Sequence, residues 1–482
     1  MLPFVAKNFV PLPAGPTAKG NITMQSRKIQ LSIKTLAVIV VLGATAISFA
    51  ADREKVLYNL PKCTGSTNCA STNVAIGLGM IFDKAGNLYG AYQFRGTSGS
   101  KCHGYGCGYV FKLAPTTTGL WKETALYNFC SLANCADGAI PSSGLAFDVD
   151  GNLYGTTWYG GMTTSGCGGD LCGTVFKLTL GANGKWTETV LHSFTGGPDG
   201  AEPAGTAPIF DSAGNLYGTT LGGGHGYGTV FKLTRGTKEP WTEAVLHSFQ
   251  LNGTDGIVPV GLVSDTAGNL YGTTAGGGKY SSANCTSTLV QNPHCGTVYL
   301  LSPNGNGTWK ESVLHNFQSN GKDGIQPLTG VILDAKGNLD GTTEFGGEHG
   351  FGTVFQLVHG TWAENILQSF ETPTANDSGS APLSGLILDS AGNLYGTTLA
   401  GGAAGCGDGC GTVFELSHGS SGWTETVLHD FSTPADGTTP TSPLSRDKEG
   451  NLYGNTLTGG ANDAGVVFEI LPATVSLGTL QE

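Results

Sequence analysis

The segment Gly-Asn-Leu-Tyr-Gly, or a near variant, occurs seven times, starting at Gly86, Gly151, Gly214, Gly268, Gly337, Gly392 and Gly450. Similarity recurring every 54 to 69 residues marks a chain built from one supersecondary unit. A unit of that length cannot bury its apolar face alone, so the copies must stack. Gly makes up 78 of the 482 residues, about twice its usual share. Only 12% of residues are charged and 39% are hydrophobic, a balance that excludes coiled-coil and disordered chains and suits strands joined by tight turns.

The second copy reads strand by strand. Gly144–Asp148 is short and apolar and runs into the turn Asp148-Val149-Asp150-Gly151-Asn152, where Asp caps backbone amides and Gly accepts positive φ. Leu153–Thr157 is a second strand, Thr174–Leu178 a β-branched and aromatic third, and Trp186–Phe194 a fourth. No segment keeps a helical period. Four antiparallel strands repeated seven times predict an all-β chain, a seven-bladed β-propeller. The last copy lacks its fourth strand, and Glu54–Leu60 supplies the matching pattern, with Glu54 in register with Glu123, Glu188, Glu243, Glu311, Glu364 and Glu425. The N-terminal strand is therefore expected to complete blade seven and close the ring, which leaves no open sheet edge.

The motifs Gly-Asn-Leu-Tyr-Gly-Thr-Thr and Gly-Thr-Val-Phe, the latter extended to Gly-Thr-Val-Phe-Lys-Leu at Gly173 and Gly228, resemble those of the secreted GloVer-type tandem-repeat proteins over residues 52–471. The resemblance implies an extracytoplasmic propeller. Members of that family often carry a C-terminal anchor. Here only a short polar tail, 472–482, follows, so a released protein is the expectation.

Arg27 and Lys28 precede an apolar run, Leu36–Ala50, ending in Ser48-Phe49-Ala50. This is the pattern of a secretory signal peptide over residues 1–50, with Met24 placed as the initiator and the propeller spanning 51–471. The formal net charge is −12, and residues 1–50 hold five Lys or Arg and no acid, so the remainder is more acidic still. Such a chain is a poor candidate for nucleic acid or for an anionic membrane after signal cleavage. A monomer is expected. The twelve Cys fall into local pairs expected as disulfides: Cys63/Cys69, Cys102/Cys107, Cys130/Cys135, Cys167/Cys172, Cys285/Cys295 and Cys406/Cys410. Zinc ligation would need four of them to converge, and their spacing does not repeat as zinc-site pairs do.

With strands lettered A to D from the centre outward, the A–B turns are uniform. Every Cys pair falls in a D–A or B–C loop, on the opposite face, where loop length also varies most. Variable loops on a rigid scaffold are where binding usually resides. Six Trp open strand D, but Trp158 ends strand B of blade two beside Tyr159. With Tyr92 and Phe94 in blade one and Phe345 in blade five, these are the candidate ligand-binding aromatics. A small core under the loops is the alternative role.

The D–A loops carry Asp137, Asp199, Asp255, Asp323, Asp377 and Asp436. A ring of carboxylates could hold calcium, but five of the six precede Gly, so turn formation accounts for them more simply and no cofactor is expected. His192, His247, His315 and His429 share one position of strand D, blades apart, and read as scaffold. His103, His225 and His349 lie in B–C loops of alternate blades. Asp340, where strand B elsewhere has Tyr, and Arg446, where an apolar residue is usual, depart from the repeat. The inner strands offer no isolated acid, base or nucleophile, and no hydrolase or phosphate-loop motif is present. The chain thus reads as a binding or structural module for carbohydrate or a surface protein. The alternative is a calcium-dependent hydrolase of the lactonase or phosphotriesterase-like type.

Overall fold

The computed structural model describes residues 54–61, 79–96, 102, 106–117, 119–161, 167, 172–236, 241–285, 294–371, 379–402 and 409–471. The signal segment, Cys63, Cys69, His103, Asp377, Cys406 and the tail lie outside the described residues. The unit beginning at Glu54 is a seven-bladed β-propeller of antiparallel four-stranded blades. In blade two, strand A is Ala146–Phe147, preceded by Ala139–Pro141; B is Leu153–Tyr159, C is Thr174–Leu180 and D is Trp186–Ser193. The ring closes as expected. Glu54–Asn59 pairs antiparallel with Val466–Ile470, Glu54 facing Ile470 and Asn59 facing Val466, and Lys55 Nζ lies 3.6 Å from Glu469.

The seven-fold motif is accounted for atom by atom in its first turn. Asp83 Oδ1 accepts the amides of Ala85 and Asn87, both at 2.9 Å, while Oδ2 accepts Asn87 Nδ2 at 2.6 Å and the Tyr89 hydroxyl at 3.1 Å. One carboxylate therefore fixes the turn, the Asn and the second residue of strand B. Blade five breaks the set, since Asp340 replaces the Tyr. Asp340 instead accepts Gln356 Nε2 at 2.9 Å, where blades one to three place a Lys over the Tyr ring, as in Lys177 over Tyr154. Burial pushes the Asp340 carboxyl up to about 6.

Strand A differs from the expectation of one short run starting at Gly144. Its first piece lies earlier, with Ala139 paired to Tyr159 and Pro141 to Thr157, and the chain leaves the ladder before Ala146 pairs with Tyr154. The reason is the joint between blades. Ile140, Glu202, Val258, Gln326, Ala381 and Thr439 each precede a Pro and adopt φ between 52° and 62°. Their amides donate across the joint to the carbonyls of Cys107, Cys172, Tyr227, Cys295, Phe351 and Cys410 at 2.7–3.0 Å. The Pro that follows packs on the Gly that opens the preceding blade's strand C. A Cβ on Gly228 would sit 2.7 Å from Pro259 Cδ and 2.3 Å from the Thr220 carbonyl. The strained residue is held because its neighbours on both sides over-determine it.

The cores lie between blades. Phe129 packs edge-on against Phe176 of the next blade at 4.9 Å, and Phe194–Phe231, Phe317–Phe355 and Phe431–Phe468 repeat the contact at 5.1–5.2 Å. The strand D Trp also reaches back one blade: Trp186 meets Tyr89, Trp241 meets Tyr154 and Trp309 meets Tyr217. Trp121, Trp362 and Trp423 pack on the preceding blade likewise, so the six strand D Trp are joint residues, and Trp158 differs in ending a strand B.

Candidate functional site

Two disulfides meet at the loop end of blades one and two. Cys102–Cys107 belongs to the B–C loop of blade one and Cys130–Cys135 to the loop leading into blade two, and their four sulfurs lie within 4.8 Å of one another. Local pairs fix them as disulfides, yet the convergence between pairs was not foreseen. Cys135 ends a 3-10 turn, Ala133–Cys135. Around the sulfurs pack Ile140, Phe94, Trp158 and Tyr159. Trp158 and Tyr159 stack with centroids 5.9 Å apart and planes 10° from parallel, both partly exposed. The Trp158 indole N–H is buried and has no hydrogen-bond partner.

The expected aromatics therefore separate. Phe94, Trp158 and Tyr159 share one cluster. Tyr92 does not belong with them: it is fully buried, its hydroxyl donates to Glu123 at 2.8 Å and its ring packs on Phe111 at 4.6 Å. It occupies the repeat position of Thr157, where a small residue pairs with the strand C Thr, so a Tyr there fills the joint core instead of reaching the surface. Phe345 is 37% exposed in blade five, in the two-residue strand Phe345–Gly346 paired with Gly324–Ile325. It lies outside the stapled cluster. Cys167–Cys172 and Cys285–Cys295 staple the B–C loops of blades two and four, and Cys410 is also disulfide-bonded.

Blade one carries an asymmetry the repeat reading missed. Tyr109 donates to the other oxygen of Glu123 at 2.7 Å, and the Arg95 guanidinium lies 4.8 Å over the Tyr92 ring. Arg95 is 8% exposed, with Nε and Nη2 buried and unpaired. It stands where Gly160 stands in blade two, a substitution visible in the alignment of copies.

The loop Asp residues do not form a common ring. Each is tied to its own blade. Asp137 accepts the Tyr127 hydroxyl and the Ser131 amide, both at 2.8 Å. Asp199, Asp255, Asp323 and Asp436 face His192, His247, His315 and His429 at 3.2–3.6 Å and cap loop amides such as Gln250 and Gln318. Among the described residues, no group of three or more ligand atoms joins two of these Asp. The geometry for a shared calcium is thus missing from the described Asp residues, and turn capping accounts for them.

A Glu from the next blade's strand D completes each joint. Burial, reinforced by Asp137, pushes the Glu188 carboxyl up to about 8; burial with Asp199 raises Glu243 to about 7, and burial with Asp255 raises Glu311 to about 7. Glu364 is also raised, by burial and then by Asp323. Burial lowers His192. The sequence shows each residue as one repeat position, and only the joint brings the loop Asp of one blade beside the strand D Glu of the next.

Several solved structures are similar to the chain. PorZ, a surface component of the type-IX secretion system of Porphyromonas gingivalis, is similar over 84% of this chain and 47% of its own, at 14% identity and a TM-score of 0.46. An ancestral GH74 enzyme is similar over 84% and 48%, at 10% identity and a TM-score of 0.52. A puromycin-hydrolyzing peptidase of Mycobacterium tuberculosis is similar over 83% and 51%, at 10% identity and a TM-score of 0.48. The chain spans about half the length of each, and at 10% identity the likeness to the GH74 enzyme shows the fold alone. No curated protein sequence matches the chain. The model of the Gloeobacter/Verrucomicrobia repeat matches residues 76–288 and 283–482. With joints, turns and strand C openings all built from that repeating pattern, the chain belongs to the Gloeobacter/Verrucomicrobia repeat family.

Proposed function

We propose that the protein is an extracytoplasmic binding module that takes a carbohydrate or a surface protein on the stapled loops of blades one and two. The observation that carries the reading is the Trp158–Tyr159 stack, partly exposed and seated with Phe94 on two adjoining disulfides. Flat aromatic faces held on a rigid base suit a sugar ring or an apolar anchor, because little side-chain entropy is lost on contact. The disulfides and the signal-like residues 1–50 support an oxidising compartment. A hydrolase reading finds less support, since the described loop carboxylates cap their own loops.

A glycan-binding screen, with a pull-down from surface extracts in parallel, tests the proposal when run on the wild type and on Trp158→Ala. Removing a central aromatic contact should weaken retention by about 10- to 30-fold and leave the melting temperature within about 1 °C. Equal loss of retention and of melting temperature would assign Trp158 to packing. Retention unchanged in the variant would move the site elsewhere.

A further inference from the structure

At the joint of blades four and five, three donors from different repeat positions close on one point. His315 comes from strand D of blade four, Trp309–Asn316, Asp323 from the loop after it, and Glu364 from strand D of blade five, Ala363–Ser369. His315 Nε2 lies 3.3 Å from Asp323 Oδ2 and 3.6 Å from Glu364 Oε1. All three ligand atoms fall within 4.8 Å of one another. We propose that His315, Asp323 and Glu364 form a binding site for a divalent first-row transition metal, zinc foremost, that clamps blade four to blade five.

The geometry suits that ion. Zinc bonds of roughly 2.0–2.2 Å to imidazole nitrogen and carboxylate oxygen, arranged tetrahedrally, place neighbouring ligand atoms about 3.3–3.6 Å apart. The measured separations from His315 lie at that edge length. The donor set of one imidazole and two carboxylates fits zinc better than calcium, which takes six to eight oxygens. Three protein ligands leave the fourth position for water.

A second observation is independent of the spacing. Glu364 Oε1 is wholly buried with no hydrogen bond within normal reach, as are the equivalent oxygens of Glu188, Glu243 and Glu311, but among the described residues only here does a His stand 3.6 Å from it with an Asp within ligand reach. Two carboxylates side by side are costly to bury, and a cation at this point would satisfy both. The outer contacts are in place. The Gln318 amide donates to Asp323 Oδ2 at 3.0 Å, Asn320 Oδ1 accepts the Asp323 amide at 2.9 Å, and the His315 ring packs edge-on against Phe317 at 4.8 Å. Such contacts fix ligand orientation before the metal arrives. The same residue types recur at His192, Asp199 and Glu243, at His247, Asp255 and Glu311, and at His429, Asp436 and Glu54. Among the described residues, only the blade-four joint brings such a His, Asp and Glu within ligand reach.

The test uses zinc alone, titrated calorimetrically into the chelator-stripped protein, with His315→Gln, Glu364→Gln and His247→Gln. Gln at position 315 reproduces what blade five carries natively, where Gln368 donates to Glu425, so the variant keeps a workable joint. The wild type should bind one zinc per chain tightly and melt higher with it. Loss of an outer contact alone weakens a metal by about 10–100-fold, so loss of a ligand should weaken this one by about 100-fold or more. His315→Gln and Glu364→Gln should each show that loss while melting normally without metal, and His247→Gln should bind as the wild type. Zinc binding that survives both ligand changes, or no binding at all, overturns the site. Four equivalent sites, each lost with its own His, would overturn its restriction to this joint.

Discussion

Replacing Gly228 by Ala tests whether the strand C glycine exists for the joint or only for its backbone angle. Gly228 has φ +94°, and a Cβ there would meet the Thr220 carbonyl at 2.3 Å, Pro259 Cδ at 2.7 Å and the Leu221 carbonyl at 3.2 Å. Gly226, two residues earlier, has φ +96° with nothing within 4 Å of its Cβ position. Both Ala variants incur the left-handed strain, about 1–2 kcal/mol. Only Gly228→Ala adds overpacking, about 1–3 kcal/mol, because two of its neighbours are backbone and cannot rotate away. A unit of roughly 420 residues loses about 1 °C of melting temperature per kcal/mol. Calorimetry should therefore show about 2–5 °C for Gly228→Ala and about 1–2 °C for Gly226→Ala. Hydrogen exchange gives a sharper reading, since the Val258 amide bonds across the joint to the Tyr227 carbonyl at 3.0 Å. Local opening made easier by 1–3 kcal/mol should speed its exchange by about 5- to 150-fold in Gly228→Ala only. Equal melting losses and equal Val258 exchange in the two variants would refute the account of the joint.

Three further outcomes follow. Glu188, Glu243 and Glu311 titrate near 8, 7 and 7 in the fold against 4.5 when exposed, so their contribution is complete below about pH 4.5 and is lost as pH rises through 7 to 8. The turn Asp residues, such as Asp148 and Asp211, are lowered by their hydrogen bonds, and their contribution is lost as pH falls below about 4. Melting temperature should peak in mild acid and decline toward pH 9, with Glu188→Gln flattening the alkaline limb; a limb unchanged by that substitution contradicts the assignment. Asp340→Tyr with Gln356→Lys restores the repeat in blade five and gives Asp334 the hydroxyl it lacks, which should raise stability by about 1 kcal/mol in a urea titration; a less stable double variant would show that blade five has repacked around the Asp. Cys285→Ser with Cys295→Ser opens a ten-residue loop and should lower stability by about 2–3 kcal/mol, because Gln326 of blade five grips both cysteine carbonyls; a neutral result would mean the loop holds without its staple.

The blade plan was readable because its determinants are local. Alternation, the Asp-x-x-Gly-Asn turn and the missing last strand each lie within a few residues, and Glu54 fell into register on pattern alone. The split of strand A was not readable, since Ile140 and its equivalents take their conformation from a carbonyl and a glycine in the preceding blade. Trp158 stood out by position, yet its neighbours Cys102, Cys107, Cys130 and Cys135 come from two other loops. Tyr92 misled because alternation alone does not say how deep a strand end lies. His315, Asp323 and Glu364 were each explained away singly, and the eight-residue offset of His247–Asp255 and His315–Asp323 was the signal that could have joined two of them.

The central claim is that recognition belongs to the stapled loops and not to the repeated turns on the other face. Hydrogen exchange measured with and without the ligand retained in the glycan or surface-extract screen tests it most directly. The account predicts protection at residues 92–96, 139–141 and 158–161, with the seven turns beginning at Asp83, Asp148, Asp211, Asp265, Asp334, Asp389 and Asp447 unchanged. Protection confined to those turns, with none around Trp158, would contradict it.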